Sequence, residues 1–293
     1  MTILIVGGNG QLGRCLIDRL KLSDWKYHSL GRMEMDITNF DQVSSVAREI
    51  NPSIIINTAA YTNVDQSETD QELALMVNEL GPYNLAKICK ILNIPLIHIS
   101  TDYVFDGMSK QPYNTSDLVN PQSIYGHSKL KGEVQIKDNC DSFLILRTAW
   151  LFSEYGNNFL KTILRLSVER DNLKIVSDQI GCPTYAGHLA EAIIKTIPKL
   201  LSGSFKKGVF HYAGDMQCSW YDFAKIILST ASKNNYLNKI PKLTKVRTEE
   251  YITAAKRPRY SVLDSSSFCE LFEVLPSNWR EVLPSIILKT KLS

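Results

Sequence analysis

The chain has no apolar run approaching the roughly 20 residues that a membrane-spanning helix needs, which argues against a transmembrane protein. It has no excess of one charge: 33 Lys and Arg stand against 30 Asp and Glu, a net of +3. That is too small a field to attract nucleic acid or an anionic membrane surface. The six cysteines form no Cys-x-x-Cys pair and the five histidines show no metal-ligand spacing. Buried free thiols are therefore expected rather than disulfides, and no metal centre. Repeats and low-complexity linkers are absent. No basic region precedes the strand-like start Met1-Thr2-Ile3-Leu4-Ile5-Val6 and no cleavage site follows it, so the expected location is the cytoplasm. What is present is an ordinary globular composition, 44% hydrophobic and 22% charged over 293 residues, enough for one large domain or two closely packed ones.

Strand-like and helix-like segments alternate from the first residues. Residues 3–6 form a short apolar run, followed by Gly7-Gly8-Asn9-Gly10-Gln11-Leu12-Gly13 and then helical periodicity from Arg14 to Leu20. Glycines between a strand and a helix allow a tight turn and close approach of the backbone to a pyrophosphate, seated at the helix N-terminus. Gly7, Gly10, Gln11 and Leu12 are the candidate phosphate cradle. A second strand ends near Leu30, and Arg32 follows where an acid would hold a ribose 2′-hydroxyl; an arginine suits a 2′-phosphate. This favours NADPH over NADH, the alternative being a solvated surface arginine. Asp36 and Ile37 come next, with Asp36 either capping a helix through Ile50 or lying near the adenine.

A β-branched strand at residues 53–56 leads into Asn57-Thr58-Ala59-Ala60-Tyr61-Thr62. Small residues past a strand end let a flat cofactor lie on the backbone, which makes Ala59, Ala60, Tyr61 and Thr62 candidates for it. A helix is expected over residues 72–92, with Asn78 inside it, bonded either to a neighbouring strand or to water. The fourth strand, residues 95–99, ends in Ser100-Thr101-Asp102, placing Thr101 beyond a C-terminal strand end where ligands bind; a plain loop turn is the alternative. Tyr125 and Lys129 then lie one turn apart on one helix face. An ammonium beside a phenol favours the phenolate, which predicts a lowered Tyr125 pKa and a group able to exchange a proton near neutrality.

Residues 143–146 read as a fifth strand and 174–176 as a sixth, with a helix over 186–201 and a strand over 209–212 extending the same sheet. Ser219 is placed to cap a helix through Thr230. Lys256-Arg257-Pro258-Arg259 is either a solvated cationic loop or a contact for a phosphorylated substrate. The expected fold class is α/β, a Rossmann-like doubly wound parallel sheet with a smaller C-terminal α/β lobe. A dinucleotide-binding unit would comprise residues 1–150, its sheet completed within 172–214; a substrate-binding lobe would comprise 151–171 and 215–293.

The glycine turn, Thr101 and the Tyr125/Lys129 pair together resemble the extended short-chain dehydrogenase/reductases and, among them, the dTDP-4-dehydrorhamnose reductases. Ser100-Thr101-Asp102-Tyr103-Val104-Phe105-Asp106-Gly107 is the most specific block. Asn57-Thr58-Ala59-Ala60-Tyr61-Thr62-Asn63-Val64-Asp65, Arg147-Thr148-Ala149-Trp150, Asn158-Phe159, Asp178-Gln179-Ile180-Gly181-Cys182-Pro183-Thr184 and Arg257-Pro258 extend the similarity over nearly the whole chain. The resemblance implies NADPH-dependent reduction (NADH possible) of the C4 ketone of the nucleotide sugar dTDP-4-dehydro-L-rhamnose. It implies Tyr125 as proton donor, Lys129 on the nicotinamide ribose, Thr101 on the carbonyl oxygen, and Asp102, Tyr103 and Trp150 near the sugar. Related dehydratases carry an acid after Thr-Asp; Tyr103 occupies that position and argues against dehydration.

Some bacterial members of the family dimerise through a shared magnesium ion held by a glutamate two residues past the third glycine. Here Cys15 stands there, a poor ligand for a hard cation, so the expectation is no metal dependence and a monomer or weak homodimer. Two other functions fit the same residues. One is a non-catalytic cofactor-binding partner resembling the regulatory subunit of methionine adenosyltransferase. The other is a reductase of a different nucleotide-linked 4-keto-6-deoxysugar.

Overall fold

The computed structural model describes residues 1–290; the last three residues of the lobe expected to end at 293 lie outside them. In chain order the elements are β1 (Thr2–Val6), α1 (Gln11–Leu20), β2 (Lys26–Leu30), α2 (Phe40–Ile50), β3 (Ile54–Asn57), α3 (Gln71–Leu75), α4 (Gly81–Leu92), β4 (Leu96–Thr101), α5 (Ile124–Asn139) and β5 (Phe143–Thr148). They continue with β6 (Leu151–Phe152), α6 (Phe159–Glu169), β7 (Asn172–Val176), β8 (Ile180–Gly181), β9 (Thr184–Tyr185), α7 (Ala186–Leu201), β10 (Lys207–His211), β11 (Cys218–Ser219), α8 (Trp220–Lys233), β12 (Lys242–Val246), α9 (Ser266–Phe272) and α10 (Trp279–Lys289).

Six parallel strands form the central sheet in the order β10-β5-β4-β3-β1-β2. Its inner strands β1, β3, β4 and β5 are buried on both faces, which helices cover. Ile3 and Ile5 of β1, with Ile54, Ile56, Ile97, Leu144 and Leu146, pack against Leu12, Leu16 and Leu20 of α1 and Leu189, Ile193 and Ile197 of α7. The alternate residues Leu4, Val6, Ile55, Leu96 and Ile145 face Val43 and Ala47 of α2, Leu85 and Ile88 of α4, and Ile136 of α5. The chain leaves β1 toward β2 on one side and returns to β3 on the other. The switch point between β1 and β3 opens the crevice where doubly wound sheets bind ligands. The α/β, doubly wound architecture expected from the alternation of segments is present.

Three local expectations need correction. Residues 174–176 do form a strand, but β7 pairs with β12 in a separate two-stranded sheet rather than extending the main one; the sixth main-sheet strand is β10, alongside β5. The helix expected over 72–92 is interrupted by a π-helical turn at Met76–Leu80. The second helix starts at Phe40, capped by the side chain of Asn39, while Asp36 lies before it and accepts from the amide and hydroxyl of Thr38. Ser219 caps α8 as expected, in a reciprocal capping box with Asp222.

The segments around β6, α6, α8 and α10 bury a core of their own: Phe152, Leu160, Ile163, Leu164, Phe223, Ile227, Trp279, Leu283 and Ile286. Among the described residues no helix is long and apolar enough to cross a membrane.

Candidate active site

The glycine turn sits at the switch point. Gly7 adopts φ +82°, and a Cβ there would lie 2.5 Å from the Ala59 amide nitrogen, so only glycine lets the β1 and β3 loops meet. No side chain caps the N-terminus of α1. Its opening residues Gly10, Gln11 and Leu12 line a cavity of about 950 Å³ that runs between the sheet and the lobe. An uncapped helix start with bare backbone at a cavity wall fits a pyrophosphate. The Gln11 side chain is engaged elsewhere: its Oε1 accepts from Asn158 (2.9 Å) and Ser153 (3.1 Å), tying the turn to the lobe.

The loop after β3 supplies Thr58, Ala60 and Thr62 to the same cavity. It is strapped by Asn78, buried on the π-helical turn, whose Oδ1 accepts from the Tyr61 amide (2.8 Å). Asn78 Nδ2 donates to the Tyr61 carbonyl and to Ser128 Oγ, both at 3.0 Å. Gly132 of α5 lies so close that a Cβ would meet the Asn78 carbonyl at 2.1 Å. Asn78 thus joins the loop after β3 to the helix carrying Tyr125 and Lys129; its partners are a loop and a helix, not the neighbouring strand that the sequence suggested.

Thr101 ends β4, and its Oγ1 accepts from the Tyr103 amide (3.2 Å) and donates to Asp102 Oδ1 (2.9 Å). The capping hydroxyl of Ser123 starts α5, bringing Tyr125 into its first turn with its ring edge-on to Tyr103, centroids 5.4 Å apart. Thr101, Asp102, Tyr103, Tyr125, Lys129 and Trp150 all line the one cavity. Two buried polar atoms on its wall have no partner: Asp102 Oδ2 and Thr148 Oγ1. Thr101 and Thr148 are register partners on adjacent strands. Unsatisfied buried groups are costly; both atoms lie beneath the surface of the wall rather than on it.

Electrostatics correct the simple picture of the tyrosine–lysine pair. Tyr125 titrates above an ordinary phenol, not below: burial raises it, Asp102 and Tyr103 add to that, and the Thr101 hydroxyl opposes it. The Lys129 ammonium is drawn inward instead, donating to the Ile99 carbonyl (2.6 Å) with Nζ 3.4 Å from His98 Nε2. Burial lowers Lys129 to about 8, against the pull of Glu133. Burial also raises Asp102 to about 6, opposed by the hydroxyls of Ser261 and Thr101. Tyr103 is pushed up to about 12, chiefly by burial, although Arg257 counteracts it.

On the lobe side, Trp150 has φ +46° and its ring stacks on Trp220, centroids 3.4 Å apart and planes 7° from parallel. Phe159 closes on the other side of Trp220 at 4.5 Å. Arg257 donates to Asp65 (2.7 Å), with its other terminal nitrogen 3.5 Å from the Tyr103 hydroxyl, and faces the cavity with Lys174.

A family profile described as "RmlD substrate binding domain" matches residues 1–292. The chain belongs to the RmlD substrate-binding-domain family. Among RmlD-family relatives it is 42% identical to a dTDP-4-dehydrorhamnose reductase from Aggregatibacter actinomycetemcomitans, over 97% of each chain. It is similar in structure to a dTDP-4-dehydrorhamnose reductase of Clostridium acetobutylicum, with TM-score 0.90, 40% identity and 98% of each chain covered. It is also similar to one from Bacillus anthracis in complex with NADP, with TM-score 0.89, 39% identity and 99% of each chain covered.

In this RmlD-family chain not every expected residue reaches the cavity. Arg32 is 71% exposed and 3.8 Å from Asp36 at the tip of the β2 loop; neither lines the cavity. Ile37 is buried against Gly81, and Ala59 and Tyr61 bound the cofactor-side loop through their backbones. Cys15 is fully buried between α1 and the sheet, its thiol pushed up to about 12 by burial first and Glu154 second. Trp220, Thr148 and the buried pair Asn57–His98 were missed. His98 lies within an apolar strand, and one histidine there carries no signal of what it faces. Trp220 follows a legible helix cap, but nothing local joins it to residue 150.

Proposed function

We propose that this protein reduces the C4 ketone of dTDP-4-dehydro-L-rhamnose to dTDP-L-rhamnose at the expense of NADPH, a step of nucleotide-sugar biosynthesis. The observation that carries the reading is one cavity lined together by the α1 turn, Thr101, Tyr125, Lys129 and Trp150. Full-length similarity to dTDP-4-dehydrorhamnose reductases supports the substrate.

NADPH, when bound, supplies hydride. Gly7, Gly10, Gln11 and Leu12 would hold its pyrophosphate, Arg32 its 2′-phosphate with Asp36 and Ile37 nearby, and Ala59, Ala60, Tyr61 and Thr62 its flat rings. Lys129 would bind the nicotinamide ribose. Thr101 turns its one hydroxyl hydrogen from Asp102 Oδ1 to the ketone oxygen and aims that oxygen at Tyr125. Burial keeps the Tyr125 phenol protonated at neutral pH, so it holds the proton that the developing alkoxide requires. Once the alkoxide has taken the proton, the Thr101 hydrogen is free to turn to the tyrosinate left behind, the charged form it favours, and Asp102 accepts it again between turnovers. Asp102, behind Thr101, lies near the sugar, with Tyr103 and Trp150 against the ring. The segments 151–171 and 215–290 form the substrate lobe, its Trp150–Trp220–Phe159 wall offering an apolar face and Arg257 and Lys174 offering charge to the diphosphate. Proton transfer from a positioned side chain is worth about 10²–10⁴-fold.

The test is NADPH oxidation measured against a panel of dTDP-, UDP- and GDP-linked 4-keto-6-deoxysugars. The dTDP-4-dehydro-L-rhamnose rate should exceed the others, and Tyr125→Phe should lose at least about 10²-fold in kcat while NADPH binding by fluorescence titration persists. Turnover of none of the panel, together with retained NADPH binding, would point to a non-catalytic partner protein.

A further inference from the structure

Behind the cavity wall lies a chain of buried polar groups to which no role has been given. Asn57, at the end of β3, and His98, within β4, are both fully buried. Asn57 Oδ1 accepts from the Ala59 amide at 3.0 Å. A backbone N–H is only a donor, so this bond fixes which end of the Asn57 amide is oxygen. The other end, Nδ2, therefore points at His98 Nδ1, 3.0 Å away, and as a donor it requires Nδ1 to be the accepting, unprotonated nitrogen. A neutral imidazole so held carries its hydrogen on Nε2. Nε2 is the atom that stands 3.4 Å from Lys129 Nζ.

We propose that Asn57 locks His98 in its Nε2–H tautomer and that His98 thereby acts as a positioning residue that sets the proton affinity of Lys129. An ammonium has three donors and no acceptor, so facing an N–H it gains nothing; a neutral amine has a lone pair that accepts from it. The contact thus favours the uncharged lysine. Burial, which disfavours both the imidazolium and the ammonium here, acts in the same sense. The charged groups near Lys129 are few. Glu133, one turn further on α5, pulls toward the ammonium, but its carboxylate is gripped by Arg147 of β5 and approached by Lys137. Tyr125 lies one turn back on the same helix, and Asp102 shares the cavity wall. The Ile99 carbonyl at 2.6 Å holds Nζ in place in either protonation state and favours the ammonium, so the histidine hydrogen is the contact that opposes it. This reading rests on the proposed reductase function only for its consequence: a lysine that can give up its proton near neutrality can reprotonate the Tyr125 phenolate after turnover.

The device is tested without turnover. Nitrogen-15 NMR of histidine-labelled protein should show His98 Nδ1 as pyridine-like and Nε2 as pyrrole-like across neutral pH. In Asn57→Ala the lock is gone, Nε2 becomes free to accept from the ammonium, and the Lys129 titration, followed by lysine side-chain NMR with Lys129→Arg for assignment, should move upward by roughly 0.7 units, the worth of one ordinary hydrogen bond. His98→Gln, which keeps an N–H at the same reach, should move it less than His98→Leu. An Nδ1–H tautomer in the unmodified protein overturns the proposal even if no variant folds. So does an unmoved Lys129 titration once the tautomer has changed. A failed ketosugar assay with the expected NMR result would refute the substrate reading and leave the tautomer lock standing.

Discussion

Glu133→Gln is the perturbation whose cost the structure specifies most closely. Glu133 is fully buried on α5, one turn beyond Lys129. Its two oxygens accept from Arg147 Nε (2.8 Å) and Nη2 (2.7 Å), a bidentate pair, and Ser100 donates to Oε1 at 2.6 Å. One carboxylate thereby fastens α5 to the ends of β4 and β5, beside Thr101 and Thr148. Glutamine retains one acceptor but turns an NH₂ toward Arg147 and leaves a buried guanidinium unpaired. Breaking one side of a buried pair costs about 3–5 kcal/mol. An unfolding entropy of about 2.1 cal/mol/K per residue over 293 residues gives roughly 0.6 kcal/mol per degree, so Tm should fall by roughly 5–8 °C in a calorimetric scan. The double variant Glu133→Leu/Arg147→Met, which removes both charges, should recover most of that loss. The acid response has a defined sign. Burial raises the Glu133 pKa but Arg147 and Ser100 lower it further, so the folded value sits below the unfolded one of about 4.3. Its contribution is present above that pH and fades as pH falls through the folded value. The gap between parent and Glu133→Gln should therefore close on acidification below about pH 4. A Tm drop under about 1 °C, or a double variant no more stable than the single, would refute an unpaired Arg147 as the cause.

Asp102 should behave in the opposite way: burial raises its pKa to about 6, so the folded state binds the extra proton and loses stability as pH rises through that range. Asp102→Asn should flatten the stability profile between about pH 4 and 6 and remove any limb near 6 from the pH–kcat/KM curve. Arg32→Ser should raise KM for NADPH by about 10- to 150-fold while leaving KM for NADH within about twofold, since a charge-assisted bond to a 2′-phosphate is worth about 1.5–3 kcal/mol; equal effects on both cofactors would dismiss Arg32 as the selector. Gly132→Ala puts a methyl 2.1 Å from the Asn78 carbonyl, and pushing α5 from the π-helical turn should cost about 1–3 kcal/mol by denaturant titration and weaken cofactor binding through the Tyr61 loop. A fully stable variant would mean that the two segments part easily.

The parts of this protein that can be read along the chain are those whose physics is local. A run of Ile and Val between turn residues commits to a strand buried on both faces, and glycines between a strand and a helix commit to a turn that backbone can approach. Four-residue spacing puts Tyr125 and Lys129 on one helix face, and Ser219 three residues before Asp222 makes a cap. From these came the doubly wound sheet, the glycine turn at its switch point and the tyrosine–lysine pair on one helix. The sequence also put Thr101 at a strand end, because a strand's length and its breaker are both local. What the tertiary structure decided depended on partners far apart in sequence. Residues 174–176 read as one more short strand, and only the lobe packing chose residues 242–246 over the main sheet as the neighbour of β7. Trp150 met Trp220 across 70 positions of chain. The Tyr125 pKa moved up rather than down because desolvation is set by everything packed around a phenol, while helix spacing fixes only one neighbour, and that neighbour's ammonium turned inward to Ile99 and His98. Periodicity tells a side chain which face it is on; burial and partner choice are sums over the whole fold, and those sums set the charge on every group in the site.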